Sequence, residues 1–106
     1  MRKIVINRKK SVAGCAGKVL IYTIENFEAD MPITKDQCNY LGSIKNDSVL
    51  VSVIPESEIT IIAAYDNFGL LMITDHMVIP QGTEDIVVNG KVKSNPLHDN
   101  PFIFER

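Results

Sequence analysis

Four side chains of this sequence could support thiol or metal chemistry: Cys15, Cys38, His76 and His98. A thiol becomes a nucleophile only as thiolate, which needs a base beside it. A cysteine-dependent reaction would therefore join Cys15 or Cys38 to His76 or His98, oriented by Asp75 or Asp99. No local signature ties these residues together. Asp75 and His76 are neighbours in a strand-like stretch, where successive side chains point to opposite faces. Zinc accepts two thiolates and two imidazoles, but structural zinc sites show close pairs of ligands and these four are widely scattered. Glu56, Glu58, Glu84 and Asp85 fall at turns, where acids are solvated. The sequence thus predicts no catalytic residue, no metal and no cofactor.

The basic residues near the start offer a different chemistry. Gly14-Cys15-Ala16-Gly17-Lys18 has glycines and a lysine, as a phosphate loop does. The P-loop, however, needs four residues between its glycines, a Ser or Thr after the lysine and a helix behind it. Here two residues separate the glycines, Val19 follows, and a strand comes next. A looser anion site remains open, in which Arg8, Lys9, Lys10, Ser11 and Lys18 bring cationic groups and backbone amides together over residues 8–18. The plainer alternative is a solvated strand end whose charge discourages edge pairing. Nucleic acid is not expected as a partner, because the first 20 residues hold no aromatic for base stacking and the rest of the chain is acidic.

That acidity is part of an uneven distribution. Arg2, Lys3, Arg8, Lys9, Lys10 and Lys18 precede the first acid, Glu25, while the rest of the chain sets 13 acids against the other five bases, for an overall charge of −2. The 106 residues suit one domain over 1–106, and 45% hydrophobic with 23% charged residues is an ordinary globular balance. No apolar run approaches the roughly 20 residues of a membrane span. Ile4-Val5-Ile6 is too short for a signal-peptide core. Two cysteines outside any CxxC pair fit reduced thiols in the cytoplasm, although a Cys15–Cys38 bridge stays open.

The elements that must position these groups read as short strands punctuated by turns every eight to twelve residues. Residues 2–7 form a first strand. Residues 18–25 form a second, apolar on both faces and therefore central. Residues 26–37 read as an acidic surface connection, and 34–41 as one or two helical turns at most. Asn46-Asp47 is expected to turn a hairpin between 40–45 and 48–54, with Val49, Val51 and Val53 facing the core. Strands follow over 58–65 and 70–79, with turns at 66–69 and 80–83. Asn89-Gly90 carries the strongest hairpin signal, between 85–88 and 91–93. Phe102-Ile103-Phe104 adds a short last edge strand. The expected fold is all-β: a single antiparallel β-sandwich, or partly open barrel, of seven to eight strands.

Arg8-Lys9-Lys10-Ser11 with Gly14, then Lys18-Val19-Leu20-Ile21-Tyr22, then Gly42-Ser43-Ile44-Lys45-Asn46-Asp47 together resemble small uncharacterised bacterial β-sandwich domains. In those domains a basic strand end and small-residue loop precede a "V-x-I" strand and an "I-K-N-G" hairpin. The likeness covers the first half of the chain. Asp47 stands where the pattern has glycine, and the acidic insertion departs from it. The resemblance implies a compact sandwich with no catalytic residues to carry over. The function expected is a non-enzymatic binding module for a protein partner or a second copy of itself. The alternatives are a small-anion domain using the 8–18 loop and a cysteine-dependent enzyme.

Overall fold

A computed structural model describes residues 1–10, 18–28, 33–67, 70–92 and 102–105. They form eight strands: β1 (Arg2–Arg8), β2 (Val19–Ile24), β3 (Asn39–Ile44), β4 (Val49–Ile54), β5 (Ile59–Asn67), β6 (Leu70–Ile79), β7 (Ile86–Val92) and β8 (Phe102–Phe104). Two four-stranded sheets result, one ordered β4-β1-β7-β8 and the other β3-β2-β5-β6. The all-β sandwich read from the strand periodicity is the fold observed. It is not wholly antiparallel, because β1 and β7 run parallel with Ile4 opposite Ile86 and Ile6 opposite Val88. The helical turn expected over 34–41 contracts to a 3-10 turn at Lys35–Gln37.

The main core lies between the sheets. Ile4 and Ile6 of β1 meet Ile21, Ile61, Phe102 and Phe104, all buried. Alternation along β1 alone explains this, since Ile4 and Ile6 point inward while Lys3, Val5 and Asn7 point outward. The same alternation turns the two end residues, Arg2 and Arg8, into the core, where both are buried. Arg2 donates to the carbonyls of Pro55, Ser57 and Pro80, gathering the β4–β5 turn and the β6–β7 connection. Arg8 donates from Nη1 to Ile44 O at 2.8 Å, holding the β3–β4 corner. A guanidinium, with five donors on a long stem, suits carbonyls that diverge from several segments.

A second cluster covers the other face of the β3-β2-β5-β6 sheet. Tyr22, Ile24, Ile62 and Ala64 are buried there beneath Ile33, with Phe27 and Cys38 packed against them. The double apolar face of β2 thus has its cause: β2 sits between β3 and β5 with packing on both sides. The connection read as an acidic surface loop does expose Glu28 and Asp36, yet its Phe27 and Ile33 make it a cover.

Three expectations fail for identifiable reasons. Asn46-Asp47 does turn, with Asp47 at φ 58°, but β3 and β4 belong to different sheets, so the turn is a corner between layers and not a hairpin. Asn89-Gly90 does not turn at all and lies inside β7. Gly90 is required there by packing, since a Cβ would collide with Cζ at the tip of the Phe102 ring on the neighbouring strand. Val49, Val51 and Val53 face solvent, being 55, 59 and 53% exposed. Their partners across β1 are Asn7, Val5 and Lys3, and antiparallel partners share a face. With Ile4 and Ile6 committed to the core, β4 must turn Leu50, Ser52 and Ile54 inward.

Candidate functional site

Four of the five residues of the anion site expected from the sequence are described. Arg8 is 2% exposed and committed to the β3–β4 corner, so it belongs to the interior. Lys9 is exposed and pairs with Glu105, its Nζ 3.0 Å from a carboxylate oxygen. Lys10 and Lys18 are exposed, and Ser11 lies outside the described residues. Of the five candidates, Lys9, Lys10 and Lys18 therefore stand at the surface.

Of the thiol and imidazole candidates, Cys38 and His76 are described. Cys38 packs in the second cluster, and burial pushes its thiol above the usual range, the opposite of what a nucleophile needs. The His76 ring contacts Phe27 at 4.6 Å on that same outer side. Asp75 accepts from its neighbour's backbone N–H, His76 N, and from Phe104 N, each at 2.8 Å, tying β8 to β6 across the sandwich. Cys15, His98 and Asp99 lie outside the described residues. Among the described residues no three His, Cys, Asp or Glu side chains are grouped to hold a metal ion. No helix among them is long and apolar enough to cross a membrane.

Among the described residues, two open clefts can be outlined. One, of about 470 Å³, is lined by Glu25, Phe27, Glu58 and Val78 among others. The other, of about 400 Å³, runs from Arg2 to Thr83 and Glu84. Neither gathers a set of convergent polar groups suited to a reaction.

The outer face of the β4-β1-β7-β8 sheet is more distinctive. Its rows follow from the registers of β1 with β4 and β7. Val51, Val5 and Val87 form the middle row, Val49, Asn7 and Asn89 one flank, and Val53 and Lys3 the other. Val87 is 65% exposed. Asn7 donates to Asn89 across the first flank, and Lys3 N donates to Asp85 across the second. An apolar stripe thus crosses the sheet between two polar borders and broadens along β4, where every outward residue is valine.

β4 is also a sheet edge, and its free side can be assigned. Arg8 N donates to Ser48 O, which continues the β1–β4 register by one residue. In an antiparallel ladder, residues that hydrogen-bond the partner alternate with residues whose backbone faces away. Leu50, Ser52 and Ile54 accordingly share the ladder with β1. Val49, Val51 and Val53 turn their N–H and C=O groups outward, beside their own exposed side chains. Sequence reading missed this site because a β-branched run reads equally well as core. The discriminating signal was Lys3 and Asn7 on the strand that pairs with it.

No protein-family model, curated protein or solved structure matches the chain.

Proposed function

We propose that the chain is a non-enzymatic protein-interaction module of the cytoplasm that receives an extended strand of a partner along β4. The observation that supports this reading is the coincidence on one strand of backbone groups with no partner among the described residues and an unbroken row of exposed valines. In strand addition, backbone hydrogen bonds supply affinity and alternate side chains supply specificity. β4 offers both from the same three residues. Exposed apolar groups contiguous over a sheet face mark interaction surfaces more often than isolated ones do. The two-cysteine composition fits a reducing compartment.

The test is site-specific photo-crosslinking in the cell that makes the chain. A photoreactive residue at position 51 should give a discrete adduct that disappears with Val53→Pro, which removes one outward N–H while leaving the β1 ladder intact. A probe at Lys91, exposed on β7 away from the β4 edge, should give none. No discrete adduct at position 51 would overturn the reading.

A further inference from the structure

The four sheet edges among the described residues are not alike. β3 is broken by a register shift opposite Ile21 and Tyr22, with Gly42 at φ 151°. β6 carries a register shift opposite Ala63 and Ala64 and spends the Asp75 carboxylate on Phe104 N. β8 is three residues long. Bulges, edge charges and short edge strands are the devices that keep edges from pairing with other chains. β4 has none of them: six residues, in unbroken register with β1, with no charge, glycine or proline. Among the described residues its 49–54 backbone makes no hydrogen bond on the side away from β1.

The charge asymmetry of the sequence takes a definite form along this edge. Beyond one end of β4 lie Lys45 and, just past the end of the neighbouring β1, Lys9 and Lys10, all exposed, against Asp47 and the Glu105 that pairs with Lys9. Beyond the other end lie Glu56 and Glu58, also exposed, while Lys3 at that end stands beside Asp85 and leaves the balance acidic. A second copy laid antiparallel on β4 sets the basic end of each against the acidic end of the other. A parallel pairing would set like against like.

We infer that β4 pairs with β4 of a second copy about a two-fold axis through Val51, joining the two β4-β1-β7-β8 sheets into one continuous sheet. In this register Val51 lies opposite its own counterpart and Val49 opposite Val53. Each of these pairs exchanges two N–H···O=C bonds, so all the outward backbone groups of Val49, Val51 and Val53 are used. A shift by two residues one way would place Pro55, which has no N–H, opposite Val49, and the other way would place Asp47, in the left-handed turn outside β4, opposite Val53. The pairing is self-complementary, as a two-fold interface must be. It also joins the valine stripes of both copies, Val5 and Val51 running into Val51 and Val5 across the axis. The inference rests on the strand-accepting role proposed for β4 and names the partner.

Sedimentation equilibrium of the full chain should show a reversible dimer over about 1–200 µM, the range of weak to moderate protein association. Val51→Lys should raise the dissociation constant at least tenfold, with circular dichroism and the melting midpoint showing an intact fold. Lys45→Glu should weaken the dimer, and adding Glu56→Lys to it should restore association. A chain that stays monomeric throughout, or dimerises equally well as Val51→Lys, overturns the inference. The mass of the position-51 crosslink separates the two readings. An adduct of twice the chain mass supports self-pairing, an adduct with another protein overturns self-pairing and leaves the strand-accepting role standing, and no adduct overturns both.

Discussion

At the scale of single residues, Gly90 shows how packing outranks a local signal. The Asn89-Gly90 pair has the backbone freedom of a hairpin turn, but the ring that covers Gly90 comes from Phe102, and no window around residue 90 contains it. Gly90→Ala should destabilise the fold by about 2–3 kcal/mol through overpacking. In urea unfolding, the same change in a Phe102→Leu background should cost clearly less than in the parent, because the two positions share one space. Tyr65 carries a second residue-scale consequence. Burial raises its phenol above the ordinary value, and the nearby Arg8 charge lowers it by less. The folded chain thus favours the neutral phenol. Its contribution is fully present below the unfolded value of about 10 and is lost as pH rises through the higher folded value. Thermal stability measured between pH 9 and 11 should fall less steeply in Tyr65→Phe than in the parent. The buried arginines were hidden from sequence reading for a related reason. Arg8 next to Lys9 and Lys10 looks like a basic cluster, and only the parity of β1 separates it from them.

At the scale of elements, strand existence and order along the chain were legible, because β-branched runs bounded by Pro, Gly, Asn and Asp leave few alternatives. Pairing was not legible. Asn46-Asp47 is a turn in either arrangement, and whether it joins two strands of one sheet or two layers depends on β1, 40 residues earlier. The open face of β4 was misread because its outward row is all valine while its inward row carries Ser52, so composition favoured the wrong face. The site proposed here therefore emerged only with the registers, whereas the basic 8–18 region drew attention first by charge alone. β8 shows how a short element is kept in place. Its three residues pair with β7 and receive a further hold from Asp75, whose carboxylate accepts Phe104 N from the opposite sheet. Asp75→Ala should cost about 2 kcal/mol, as expected for a lost hydrogen bond to a charged group. It should also speed hydrogen exchange at the Phe104 amide. Asp75→Asn, which keeps an acceptor oxygen, should lose less on both measures.

At the scale of the whole molecule, a net charge of −2 conceals a basic and an acidic end on one sheet edge. Such an arrangement orients an approaching copy over distances up to the screening length, about 10 Å at 0.1 M salt. Raising salt from about 50 to 500 mM should therefore weaken self-association of the parent. The Lys45→Glu variant, which has lost part of this complementarity, should show a smaller change when followed by sedimentation. The second core has its own meaning at this scale. With Ile33 and Phe27 laid over one sheet, the other sheet is left as the molecule's open face. The valine stripe is on that face.

The parallel pairing of β1 with β7 also joins segments about 80 residues apart, which bears on the order of refolding. Every strand of the β3-β2-β5-β6 sheet falls between residues 19 and 79, whereas β1 finds its second neighbour only in Ile86–Val92. Contacts so distant in sequence close slowly. In refolding followed by pulsed hydrogen exchange, the amides of β7 should therefore gain protection after those of β5 and β6.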